Sequence, residues 1–159
     1  GLLAIRTHVD VCDARLLAVE ALLDVKRRAA PYLDLQLVAF PQDGVLRSPG
    51  AFDLLKRALA MGVDVVIVHT GLDERHAEKG KSPLDDLKKV RAAVKIPLQA
   101  VGGLSIDQAA QCPALGASLV VIGAPLAVAD YELKPGADAE RLFEIVRGFV
   151  RGVKGSQQT

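Results

Sequence analysis

Two glycine-containing turns near the C-terminal end of the sequence have the residue types that could bind an anion. They read Ala100-Val101-Gly102-Gly103 and Val121-Ile122-Gly123-Ala124, and each ends a short apolar run. Glycine lets the backbone approach a ligand closely, and the N–H groups at the start of a helix favour a negative charge. The pattern predicts a phosphate site at Gly102, Gly103, Gly123 and Ala124, and ordinary tight turns are the alternative interpretation.

Polar side chains also alternate along the first predicted strand. Arg6, His8 and Asp10 share one face of it, because successive side chains of a strand point to opposite faces. His69 ends the third predicted strand. If these faces line one cleft, His8, Asp10 and His69 are candidate catalytic residues with the donor atoms that a divalent metal needs. A solvated rim is the alternative, and we expect no metal or other cofactor.

The elements that must position these residues are strands that alternate with helices. Apolar runs predict strands at Leu3–Val9, Leu33–Phe40, Val63–His69, Ile96–Val101 and Ser118–Ile122. Helical spacing and capping residues predict helices at Ala14–Ala29 (with Asp13 as N-cap), at Ala51–Ala60, after Ser82, after Ser105 and at Asp138–Arg151. Five such units predict an α/β protein with a parallel sheet.

Five units are too few for a closed barrel. A (β/α)8 barrel has eight strands and typically about 250 residues, and it binds phosphate with its last strand-to-helix turns. The sheet must therefore stay open, as in a doubly wound fold, or be completed by association of chains. We expect one α/β domain over residues 1–152, a frayed tail over residues 153–159, and a homo-oligomer.

Composition narrows the classes of function. The chain has 159 residues, of which 50% are hydrophobic and 4% aromatic, and its net charge is +1. This balance gives no electrostatic footprint for nucleic acid, and no apolar run is long enough to cross a membrane. Cys12 and Cys112 are isolated, which indicates reduced thiols and a cytoplasmic protein without a signal segment.

The second part of the chain resembles a family of phosphosugar enzymes. Four blocks occur in order: Val68-His69-Thr70-Gly71-Leu72-Asp73, Ser82-Pro83-Leu84-Asp85-Asp86-Leu87, Ala100-Val101-Gly102-Gly103-Leu104 and Val120-Val121-Ile122-Gly123. Over residues 62–152 they are similar to the last three βα units of 3-hexulose-6-phosphate synthase, in the orotidine-monophosphate decarboxylase group of barrels. This resemblance implies that His69 ends a catalytic strand, that the two glycine turns hold the substrate phosphate, and that Arg75 lies in a loop near the substrate. A plain surface loop is the alternative for Arg75.

The first part of the chain resembles a different family. The blocks are Ile5-Arg6-Thr7-His8-Val9-Asp10-Val11, Asp34 to Gly44 with its Ala39-Phe40-Pro41-Gln42, and Met61-Gly62-Val63-Asp64-Val65-Val66. Over residues 1–66 they are similar to cytosine deaminase, a metal-dependent barrel of the amidohydrolase superfamily. The resemblance implies that Gln42 corresponds to a glutamine that contacts a pyrimidine.

The two resemblances imply unrelated chemistries, each without its reactive centre. Residues 1–66 lack the acidic residues and the Lys-x-x-Asp cluster of the phosphosugar family, and the chain has no His-x-His pair of the deaminase family. The sequence therefore predicts an engineered or recombined chimera of barrel fragments, without efficient catalysis, that retains a phosphate or sugar-phosphate site. The alternatives are a phosphosugar lyase of the aldolase type that uses His69 and Asp10, and a structural, self-associating protein with no site.

Overall fold

Five parallel strands form one sheet in the order in which they follow one another along the chain. The computed structural model describes residues 1–46, 49–70, 82–123, 128 and 134–155. The strands are β1 (Ala4–Asp10), β2 (Asp34–Phe40), β3 (Val65–His69), β4 (Leu98–Val101) and β5 (Ala117–Val120). The described α-helices are α1 (Leu17–Ala29), α2 (Ala51–Met61), α3 (Pro83–Ala93), α4 (Ile106–Gln111) and α5 (Ala139–Gly155), and a 3-10 turn covers Pro113–Leu115.

The strand order distinguishes between the two predicted arrangements. In a doubly wound sheet the order reverses at a switch point, whereas here the order is β1-β2-β3-β4-β5 throughout. This is the winding of a (β/α)8 barrel, and the sheet is an open fragment of one. Among the described strands, β1 and β5 each have a single hydrogen-bonded neighbour.

The core lies between the sheet and its helices. Val9, Leu37, Val66 and Leu98 on the outer face of the strands are buried together with helix residues such as Leu87. On the inner face a second, smaller cluster forms from Val38, Val65 and Ile67, with Phe40 and Val101 packed against it. The middle strands are therefore apolar on both faces, as parallel strands usually are.

The predicted cap residues act as helix caps at two positions and not at the third. Ser82 and Ser105 cap their helices as predicted. The capping box predicted at Ser105 forms with Gln108, and Ser82 forms a further box with Asp85. The prediction that Asp13 caps α1 is wrong. Its carboxylate accepts a hydrogen bond from the N–H of Arg15 at 3.1 Å in the preceding turn, and α1 starts only after Leu16, whose φ is 54°.

The last helix runs further than the sequence indicated. Helix α5 continues to Gly155 and includes residues 153–155 of the predicted tail, because Val153 packs against the core. Among the parts of the chain that the structure describes, no helix combines the length and the apolar character needed to cross a membrane.

Candidate functional site

The two glycine turns lie side by side at one end of the sheet. Ala100 pairs with Val120 in the parallel ladder, and the N–H of Val121 donates to the carbonyl of Ala100 at 2.9 Å. The residues that follow, Gly102 in one turn and Gly123 in the other, therefore leave adjacent strand ends. Ala124 lies outside the described residues, so the structure describes three of the four predicted phosphate-binding residues.

The first turn needs glycine at Gly102, whereas the second has room for a side chain at Gly123. Gly102 has a φ of 127°, and a Cβ at this position would lie 2.7 Å from the carbonyl oxygen of Thr70. Close packing of the ends of β3 and β4 therefore explains Gly102 without a ligand. Gly103 has a φ of 66°. A Cβ on Gly123 would meet nothing within 4 Å, so open space adjoins the second turn.

The start of α4 uses two of its backbone donors in a capping box. The Ser105 hydroxyl accepts from the N–H of Gln108 at 3.2 Å, and the N–H of Ser105 donates to Gln108 Oε1 at 3.1 Å. These bonds satisfy helix-start donors that would otherwise face a ligand. The proposal of a phosphate site therefore rests on the turns.

The inner face of the sheet brings two histidines around one phenylalanine. The ring centroids of His8 and His69 lie 5.8 Å and 5.7 Å from that of Phe40. Nε2 of His8 lies 3.2 Å from Nε2 of Gln99. Gln99 is only 2% exposed, and its place in this cluster was missed from the sequence. The one signal was a polar residue within the apolar run of β4.

Asp10 lies at the same end of the sheet but takes part in a local turn. It pairs in register with Phe40, and its carboxylate accepts a hydrogen bond from the N–H of Cys12 at 3.0 Å. Within residues 1–46, 49–70 and the later described ranges, no three His, Cys, Asp or Glu side chains are grouped so that they could hold a metal ion. His8, Asp10 and His69 therefore do not form the metal site that their spacing had suggested as an alternative.

The remaining candidates are dispersed. Gln42 is exposed in the segment after β2, and Arg75 lies outside the described residues. Arg6 donates to Gln36 Oε1 at 2.8 Å and 3.1 Å on the neighbouring strand. The structure thus gives Arg6 a role in joining β1 to β2, while the functional assignments of Gln42 and Arg75 remain predictions.

A buried hydrogen bond supports the end of β3 beneath the first glycine turn. The Thr70 hydroxyl donates to Asp86 Oδ2 at 2.9 Å, and both side chains are buried. Because a buried carboxylate is costly without such donors, this bond fixes α3 to the strand end that Gly102 contacts. The sequence offered no signal for it beyond an acidic residue in a first helical turn.

The two cysteines are poor nucleophiles at neutral pH. Burial raises the pKa of the Cys112 thiol to about 11. Partial burial also raises the pKa of the Cys12 thiol, and the neighbouring Asp10 carboxylate adds to that shift. Since the thiolate is the reactive form, neither residue extends the chemistry of the site.

The fold and its paired turns define an open α/β protein built like part of a (β/α)8 barrel. No protein-family model matches the chain. An N-isopropylammelide isopropyl amidohydrolase of Pseudomonas sp. (strain ADP) is 42% identical over 67 residues, which are 42% of this chain and 17% of that protein. A 3-hexulose-6-phosphate synthase of Staphylococcus epidermidis is 41% identical over 71 residues, which are 44% of this chain and 33% of that protein.

Solved structures agree with these partial matches. A 5-methylcytosine deaminase from Klebsiella pneumoniae liganded with 5-fluorocytosine superposes with a TM-score of 0.62 at 28% identity, covering 96% of this chain and 38% of that one. GGGPS from Thermoplasma volcanium superposes with a TM-score of 0.61 at 16% identity, covering 96% and 63%, and shows the fold alone. The chain therefore combines resemblances to two barrel families, and it spans a third or less of the two sequence relatives described above.

Proposed function

We propose that this chain is a recombined barrel fragment that binds a phosphate or a sugar phosphate at its two glycine turns and has no efficient catalysis. The observation that carries the proposal is the adjacency of the turns. The β4–β5 register brings Gly102-Gly103 next to Gly123 at one end of the sheet. Open space adjoins Gly123, and the similarity to a 3-hexulose-6-phosphate synthase makes a sugar phosphate the first ligand to test.

Weak catalysis follows from how little of each relative is matched. The matched residues are 17% of the amidohydrolase and 33% of the synthase. Groups that act as one catalytic unit lose most of their effect when a single member is missing. A binding turn differs, because it is made from local backbone on two neighbouring units and needs nothing from the rest of a barrel.

Ligand titration with a matched pair of variants tests the proposal. Inorganic phosphate or 3-hexulose 6-phosphate at ten times its dissociation constant should stabilise the fold by about 1.4 kcal/mol. Gly123→Asp places a negative charge in the open space and should abolish the shift in melting temperature. Gly155→Asp adds the same charge at the end of α5, where a Cβ also meets nothing within 4 Å, and should leave the shift intact.

The possible outcomes separate the candidate functions. No shift with either ligand, or an equal loss in both variants, would reject a site at the turns. Turnover of 3-hexulose 6-phosphate would instead favour the lyase alternative. The position of His69 on the inner face supports the lyase alternative, which uses His69 and Asp10. The His69 ring contacts Phe40, and Phe40 pairs in register with Asp10 on the neighbouring strand.

A further inference from the structure

We propose that two copies of this chain associate head to tail, the β5 edge of each copy pairing with the β1 edge of the other so that their sheets close into a ring. The two edges are opposite ends of one parallel sheet. Among the described strands each of these edges has a single hydrogen-bonded neighbour, so the outward backbone groups of the two edges suit each other in a parallel ladder. Two β5 edges related by a twofold axis across the strands would have to pair antiparallel, which is the competing arrangement.

The edge at β5 carries an apolar surface on the helix beside it. A Cβ on Gly148 or Gly152 of α5 would lie 3.0 Å or 3.3 Å from Ile106, so this side of α5 faces α4. The exposed apolar residues of α5 lie on the opposite side, towards the free edge: Phe143, Val146 and Val150. Between α5 and β5 lies an apolar groove of about 220 Å³, whose lining includes Leu119, Val120, Phe149 and Val150.

The edge at β1 carries a matching apolar surface. Glu20 and Arg27 of α1 line a cleft together with Met61, which identifies the side of α1 that faces α2. The other side of α1, towards the free β1 edge, bears exposed apolar residues at helical spacing: Ala18, Ala21 and Val25. Leu3, immediately before β1, is also exposed. Both helices that flank a free edge thus present an apolar surface towards it.

The two surfaces distinguish between the arrangements. A head-to-tail pair covers both edges of each copy together with both apolar surfaces, whereas an isologous β5–β5 pair covers only the surface at β5 and leaves Leu3 and Val25 exposed.

Light scattering on the whole chain at about 50 µM tests the arrangement. We expect a mass twice 16.8 kDa. Val25→Glu on the β1 side and Val150→Glu on the β5 side alter residues of matched exposure, 47% and 45%. Each variant alone should be monomeric, because a buried, unpaired carboxylate then faces the partner. Met61→Glu, at 39% exposure and away from both edges, should remain dimeric.

Mixing the two edge variants distinguishes the arrangements. In a mixed pair, the Val25→Glu chain keeps an intact β5 edge and the Val150→Glu chain keeps an intact β1 edge. These two edges can form one unaltered interface, so an equimolar mixture should regain the dimer mass. Val25→Lys and Val150→Lys repeat the test, with circular dichroism confirming that each variant is folded. A monomeric wild type, a dimeric Val25→Glu variant, an open-ended series of masses, or no recovery on mixing would each overturn the proposal.

Discussion

His8 on β1 and Gln99 on β4 meet across the inner face of the sheet, with 3.2 Å between their Nε2 atoms. In a flat sheet the two strands would lie about 14 Å apart, three spacings of about 4.8 Å, and their side chains would point in the same direction without meeting. The contact therefore shows that the five strands keep the curvature of a barrel although the sheet is not closed. It also joins the deaminase-like part of the chain to the synthase-like part.

Removal of the His8 side chain should lower the stability of the fold, because the buried amide of Gln99 loses its partner. Its Oε1 is buried without a hydrogen-bond partner among the described residues, so His8→Ala leaves both ends of the amide unpaired. We expect a loss of about 1 kcal/mol in the free energy of unfolding. Gln99→Leu replaces the amide by an apolar group of similar size and should be nearly neutral. Urea denaturation of both single variants and the double variant checks this, and equal losses in the two singles would contradict it.

Substitution of glycine by alanine should destabilise the first turn but not the second. Gly102→Ala places a Cβ 2.7 Å from the Thr70 carbonyl at a φ of 127°, and backbone strain with overpacking should cost about 2–4 kcal/mol. Gly123→Ala adds a Cβ that meets nothing within 4 Å and should change stability by less than about 0.5 kcal/mol. Thermal melting of the two variants measures the difference, and similar melting temperatures would refute the packing explanation for Gly102.

The ion pair between α1 and the segment before β3 should matter more than its exposed neighbour. Asp64 accepts from Lys26 Nζ at 2.5 Å and 2.6 Å and from the N–H of Leu37 at 2.8 Å. Asp64→Ala should cost about 1.5–3 kcal/mol, because it removes a charged acceptor and leaves a strand N–H unpaired. Asp24→Ala breaks the exposed pair with Arg27 and should cost at most about 0.5 kcal/mol. Urea denaturation at low and high salt compares the two variants.

Stability should fall at alkaline pH through Cys112. Burial raises the pKa of its thiol from 9.0 to about 11, so the unfolded chain loses this proton first. Between pH 9 and 11 the folded state holds more protons than the unfolded state, and the free energy of unfolding falls by about 1–2 kcal/mol. Cys112→Ala should remove this part of the slope, as measured by urea denaturation at pH 8 and pH 10.5. An unchanged slope would count against the burial explanation.

The order and type of the described elements followed from the sequence because local signals determined them. Ser82 and Ser105 precede apolar helical spacing, and both cap their helices as predicted. Leu16 was a different case, since its backbone has a left-handed φ of 54° and its side chain is buried. No local pattern in the sequence indicates that a side chain will be buried against distant strands.

The candidate site was less accessible to sequence reasoning than the fold. The pairing of the two turns followed from their equivalent positions after neighbouring strands. Gln99 and the Thr70–Asp86 hydrogen bond depend on how the sheet curves and on which helix packs over which strand end. Those relationships arise from tertiary packing, and single-sequence patterns do not contain them.

The sequential strand order also determines how such a chain assembles. Each strand pairs with the one that precedes it in the chain, so every new pairing closes a loop of a few tens of residues at most. These loops are of similar length, so each new pairing loses a similar amount of chain entropy. Deleting or duplicating one βα unit would change the number of strands in the sheet and leave the order of the others unchanged. Recombination can therefore alter the width of the sheet one strand at a time.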